Sequence, residues 1–191
     1  MSATEPIRSK KTIQAMESYY FFRGEIRNHT LVVLGIHTAL RIGDLLSLRW
    51  GDVFDFERRR VRGTVTLIER KTGKLKIIAL HRKAISALDT YSKHYRPTDP
   101  EGALFANVAT GRPISRIQAY RIVRGASEAL EIERVSCHSL RKTFGYHAWK
   151  SGVPPTVIME IYNHSSYSVT RRYLGVTRDD TDAVYLDMQL G

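Results

Sequence analysis

Residues 138–152 read HSLRKTFGYHAWKSG and residues 163–175 read NHSSYSVTRRYLG; how these two stretches fold decides what the rest of the chain is for. In the first, His138 and Arg141 stand three apart, a spacing that puts both on one face of a helix. A helix N-terminus beside them contributes unpaired N–H groups, so histidine, guanidinium and helix end together suit an anion. The helix is expected over Ser139–Lys150, ending at Ser151-Gly152. In the second, His164 precedes Tyr173 by nine residues, with a short helix, Tyr167–Tyr173, between them. A phenol set among histidines and arginines can have its anion stabilised and act as a nucleophile. A further helix, Pro155–Tyr162, links the two stretches, with proline at the favoured first position.

Working outward, apolar periodicity predicts helices over Ile13–Phe22 and Ile26–Leu40, the second apolar enough to be buried. Arg41-Ile42-Gly43 connects this to a third helix, Leu45–Trp50, with Asp44 at its start. Val61–Ile68 and Leu75–Leu80 are alternating, β-branched runs joined by a basic turn containing Gly73, the pattern of a hairpin. A polar helix follows over Lys83–Tyr95, then a proline-containing loop to Gly102, and Ser115 caps a helix running to Leu130. A last helix is expected over Asp179–Met188. The fold class is mainly α with a small antiparallel β-sheet (α+β). Residues 1–11 read as a flexible basic arm, 12–176 as the domain, and 177–191 as a C-terminal helix or tail.

Charge narrows the partner. Thirty lysines and arginines against nineteen acids give +11, with ten basic residues and the single acid Glu69 between Arg58 and Lys83. Such a surface favours a polyanion, by counterion release from nucleic acid or by attraction to anionic lipid. The longest apolar run, Leu31–Leu40, is interrupted and falls short of the roughly 20 residues a membrane span needs. The single cysteine, Cys137, cannot form an internal disulfide, and intracellular residence is expected.

Taken together, Arg41, Lys71, His138, Arg141, His164 and Tyr173 fall in an order that resembles the tyrosine recombinase, or phage integrase, family. The resemblance runs from about Thr38 to Gly175. TALRIGDLLSLRWGDV (38–53) is similar to the family's first arginine box, which implies a catalytic role for Arg41 and a supporting one for Asp44. KTGKLKIIAL (71–80) resembles its hairpin, with Lys71 as the catalytic lysine and Lys74 as the alternative. The family's Leu-Gly-His turn is here Tyr162-Asn163-His164, and asparagine tolerates the left-handed backbone this position demands. A second departure is that only about forty residues precede Arg41, so the N-terminal clamp of many relatives is not expected.

The resemblance implies site-specific recombination. Tyr173 attacks a DNA phosphodiester, Arg41, Arg141 and His164 hold the charged phosphate, His138 takes the phenol proton and Lys71 protonates the departing 5′-oxygen. The 3′-phosphotyrosine retains the phosphodiester energy, so neither cofactor nor metal is expected. Double-stranded DNA is the expected partner, contacted through Arg70, Lys74, Lys76, Arg116, Arg171 and Arg172. Assembly as a dimer or tetramer on DNA is implied, with room for a DNA-bending accessory protein and no membrane. The implied setting is the cytoplasm and nucleoid of a bacterium, phage or mobile element. Two alternatives remain at this point: a DNA-binding regulator that keeps the fold without cutting, and a catalytic fragment of a longer integrase.

Several residues are expected to be structural. The aromatic run Tyr19–Phe22, Trp50 and Trp149 read as packing, and Cys137 as an inert buried thiol. Tyr162 and Tyr167 are rival phenols without the downstream position of Tyr173. Asp179, Asp180 and Asp182 read as a solvated helix start rather than a metal site.

Overall fold

A computed structural model describes residues 4–176 and 185–186. The elements in order are α1 (Lys10–Tyr19), α2 (Ile26–His37), α3 (Ile42–Leu45), α4 (Trp50–Val53), β1 (Phe54–Asp55), β2 (Arg60–Val61), β3 (Thr64–Ile68), β4 (Leu75–Ala79), α5 (Arg82–Tyr95), α6 (Arg116–Ala129), α7 (Cys137–Lys150), α8 (Pro155–Tyr162) and α9 (Tyr167–Leu174). The class is as expected: helices dominate, and the strands form two small antiparallel pairs, β1–β2 and β3–β4.

Helix α2 is apolar on every side from Leu31 to Ile36, and α1, α5, α6 and α7 pack around it. Its approach to α7 is close enough that a Cβ on Gly35 would lie 2.6 Å from Leu140 Cδ1. Trp50, Tyr91 and Phe105 extend this core under α4 and α5. A separate, smaller cluster of Ala39, Ile158, Tyr162 and Leu174 underlies α8 and α9, with Phe144 and Trp149 against it.

Local caps place the helices that carry the key residues. Ser115 accepts from Gln118 N at α6, and Ser136 accepts from His138 N at α7, where Ser139 Oγ accepts from Ser136 N. At the end of α8, Asn163 takes the left-handed conformation (φ 51°, ψ 45°) expected of it.

Four expectations are corrected. From Thr4 the arm lies packed on the domain: Ile7 is buried, its N–H donates to Thr143 Oγ1 (2.9 Å), and Lys142 Nζ donates to the Thr4 carbonyl (2.6 Å). Two adjacent buried apolar side chains, Pro6 and Ile7, and paired backbone groups seat it. The third helix divides, because Trp50 N bonds to Gly102 O and Arg49 N bonds to Asp52 Oδ2, starting α4 afresh. The run from Val61 divides too, its first residue pairing with Phe54 in β1–β2. The aromatic run splits: Tyr20 is core, its hydroxyl donating to Ile122 O (2.6 Å), whereas Phe22 is 83% exposed. The helix expected over Asp179–Met188 and its aspartates lie outside the described residues apart from Tyr185 and Leu186. Among the described residues no helix is long and apolar enough to cross a membrane.

Candidate active site

The chain leaves α2 through Ala39, whose φ of 56° is in the left-handed region that costs an alanine about 1 kcal/mol. This reversal points Arg41 back toward α7 and α8 and aims the Ala39 carbonyl at Arg141. Arg141 is 1% exposed; Nη1 donates to Ala39 O and Nη2 to Tyr162 O (2.9 Å). Arg41 Nη2 reaches the same Tyr162 carbonyl (3.2 Å). One backbone oxygen at the end of α8 therefore aligns both guanidinium groups. Arg41 Nη1 already faces a carboxylate, Glu69 Oε1 at 3.1 Å, though outside hydrogen-bond geometry, whereas Arg141 Nε is buried without a hydrogen-bond partner, a donor that an anionic oxygen would satisfy.

Tyr173 on α9 meets this pair through its ring. His138 lies edge-on at 4.8 Å, His164 at 4.6 Å and Tyr162 at 5.2 Å between ring centroids, and Arg141 Cζ is 6.0 Å from the Tyr173 ring. His164 is oriented by Thr170 Oγ1 at 3.0 Å. Arg41, Arg70, Lys71, His138, Arg141 and Tyr173 open into one cleft of about 1060 Å³. His164 does not line it and touches the Tyr173 ring from the side of α8.

Electrostatics agree with an anion site. Burial, then Arg141, Arg41, His138 and Lys71, push His164 down to about 4, so it is neutral at pH 7. His138 is open to the cleft on one edge and packed on Tyr173 at the other. That partial desolvation, with Lys142, Arg141 and Arg41 nearby, lowers its pKa. A neutral imidazole surrounded by cations can accept a proton from a neighbouring phenol.

The sequence-derived residues divide by location. Lys71 is exposed at the hairpin tip and lines the cleft; Lys74, Arg70, Arg116, Arg171 and Arg172 are exposed as well. Lys76, expected on the DNA-facing surface, is instead turned inward, 12% exposed at its side chain, with Nζ donating to Ile161 O and 3.5 Å from Glu69. Asp44 is buried 4.0 Å from Arg41, and its Oδ1 accepts from Arg70 N (2.9 Å), so it braces the hairpin as much as the arginine. The nearer acid is Glu69, 3.1 Å from Arg41 Nη1 and fully buried, which the sequence reading passed over. Its signal was present: it is the one acid in the basic stretch.

Rival groups are accounted for. Tyr162 is buried, donates its hydroxyl to Arg141 O (2.6 Å), and has its pKa raised by burial, so it is structural. Tyr167 is exposed. Burial raises the Cys137 thiol to about 11, which leaves it protonated and inert. Among the described residues there is no group of three His, Cys, Asp or Glu side chains placed to hold a metal.

These features bring together, on a helical domain, the buried Arg141, the partly buried Arg41, two histidines and a tyrosine on α9. Residues 7–179 match the phage integrase family, and the chain belongs to it. It is 37% identical over 185 residues to "Probable integrase/recombinase YoeC" of Bacillus subtilis (strain 168), covering 97% of both chains. It is 32% identical to "Tyrosine recombinase XerD" of Mycobacterium tuberculosis (strain ATCC 25618 / H37Rv) over 80% of this chain and 49% of that one. It therefore spans about half the length of that relative. Its fold matches a crystal structure of the XerA recombinase (TM-score 0.76, 20% identity, 98% of this chain and 65% of that one). It also matches residues 75–356 of the Lambda Integrase bound to DNA (TM-score 0.66, 16% identity, 100% and 66%).

Proposed function

We propose that this chain is a site-specific DNA recombinase that cleaves and rejoins strands through a phosphotyrosyl link on Tyr173. The observation that carries the reading is the convergence of Arg41 and Arg141 on the Tyr162 carbonyl, with Arg141 Cζ 6.0 Å from the Tyr173 ring. The phenol oxygen attacks phosphorus and its proton passes to neutral His138. The two guanidinium groups hold the non-bridging oxygens, whose negative charge grows in the transition state, and His164 adds a hydrogen bond. Lys71, at the exposed tip of the hairpin, gives a proton to the 5′-oxygen as the P–O bond breaks. A second strand's 5′-hydroxyl reverses these steps and reseals the backbone. Arg70, Lys74, Arg116, Arg171 and Arg172 contact phosphates around the cleft, and Lys76 is reassigned from DNA contact to the interior of the site. Exchange of four strands calls for two or four protomers on DNA.

The test is a denaturing gel on nicked duplexes drawn from DNA flanking the gene, where the short 5′ fragment diffuses away and traps the adduct. Wild type is expected to form a covalent complex without added metal and Tyr173→Phe none. Specific binding without any adduct would favour a regulator that does not cut.

A further inference from the structure

Glu69 closes the hairpin tip, its N–H bonding to Lys74 O (2.9 Å) and its carbonyl accepting from Gly73 N (2.8 Å). Its carboxylate is shared among four groups, two from its own hairpin and two from distant parts of the chain. Oε2 accepts from Asn163 Nδ2 (2.7 Å) and Thr72 Oγ1 (2.9 Å); Oε1 faces Arg41 Nη1 (3.1 Å) and Lys76 Nζ (3.5 Å). Burial works against the charge, but Asn163, Thr72, Lys76 and Arg41 outweigh it and hold the carboxyl at about 2. Asn163 is the residue immediately before His164, and its left-handed backbone turns its amide toward the hairpin. Lys76 adds a second tie from the same hairpin to Ile161 O on α8.

A two-stranded hairpin is marginal by itself, and one face of this one is open, with Ile68, Leu75 and Ile77 exposed. The position of its tip, and so of Lys71, depends on such polar ties. We propose that Glu69 and Asn163 form a positioning pair for the cleavage reaction, fixing the Lys71 hairpin, Arg41 and the His164 turn in one frame. The inference rests on reading the cleft as a recombinase centre, yet the bridge itself can be tested without catalysis.

Asn163→Asp sets a second carboxylate against Glu69. The exchange Glu69→Gln/Asn163→Asp restores a donor and an acceptor with the polarity inverted and keeps one carboxylate within the bridge. Amide hydrogen exchange on the protein alone is expected to quicken in Asn163→Asp in both segments 64–79 and 161–166, and to slow again in the double variant. On nicked duplexes, adduct formation in Asn163→Asp should slow by about tenfold or more at unchanged DNA affinity, with recovery in the double variant. Asn163→Gly, which suits the left-handed backbone and simply removes the amide, should fold and show a smaller loss in the same direction. Exchange that quickens in one segment alone, or a double variant no better than the single one, would overturn the pair. A wild type that forms no adduct overturns the recombinase reading instead, and the exchange result still decides the bridge.

Discussion

The two walls of the cleft are held by different means. Arg41 and Arg141 spring from chain anchored in the large core around α2 and α7, whereas Tyr173, with His164 behind its ring, stands on the small cluster beneath α8 and α9. Between the walls run polar ties: Arg141 to Ala39 O and Tyr162 O, Tyr162 Oη to Arg141 O, and Arg8 Nη2 from the arm to Gly175 O (3.2 Å). Local stability follows local burial. The arginine wall is therefore expected to share the stability of the whole domain, and the wall that carries Tyr173 to open first. Under the proposed function, the looser wall suits a nucleophile that must approach and later leave DNA.

The contrast can be broken or sharpened by substitution. The largest effect belongs to Tyr173→Phe, which removes the reacting oxygen alone: adduct formation should vanish on a denaturing gel while DNA affinity is kept. Arg141→Ala acts on both walls. It should cost roughly 3 kcal/mol of transition-state stabilisation and also lower the urea midpoint, since the Ala39 carbonyl loses this guanidinium partner and the Tyr162 carbonyl one of its two. Leu34→Ala and Leu174→Ala each delete a buried leucine, worth about 3 kcal/mol by cavity formation. The first should lower the global unfolding midpoint; the second should chiefly quicken hydrogen exchange in α8 and α9. Equal global effects would mean that the two clusters unfold as one. Tyr162→Phe should cost about 1 kcal/mol in denaturant titration, by loss of one buried hydrogen bond.

The smallest effect concerns pH. His164 and His138 have pKa values lowered from 6.5, so below that pH the unfolded chain binds protons that the folded one does not. Stability should be level above about pH 6.5 and decline as pH falls toward the value of about 4 at which His164 protonates in the fold. His164→Gln should flatten this decline in thermal unfolding scans, and an unchanged slope would assign it to other groups.

Much of this was legible in the sequence because the signals were local. Ser115 announces α6, and Pro155 and Asn163 bound α8, since caps and left-handed turns are decided by neighbouring residues. The order of Arg41, His138, Arg141, His164 and Tyr173, through its resemblance to the family, pointed to side chains that the fold brings close together. What escaped the reading is made by distant partners. Glu69 looks solvated within a run of bases and becomes buried because Asn163, 94 residues away, and Arg41 close over it. Lys76 follows the same logic, its inward turn set by a carbonyl 85 residues on. The arm looked mobile because Ile7 is its one strongly apolar anchor, and the groups that receive it lie on α7. The strands β1 and β2, of two residues each, carry no periodicity to read.

The most direct test of the central claim is to locate the bond. Trypsin cuts after Arg172 and Arg178, so Tyr173 is released in the peptide YLGVTR, whereas Tyr162 and Tyr167 travel together in residues 151–171. After the covalent complex is trapped on a nicked duplex and digested with nuclease and trypsin, mass spectrometry should find the nucleotide remnant on YLGVTR. A remnant on the 151–171 peptide would contradict the assignment of the nucleophile and the geometry built around it.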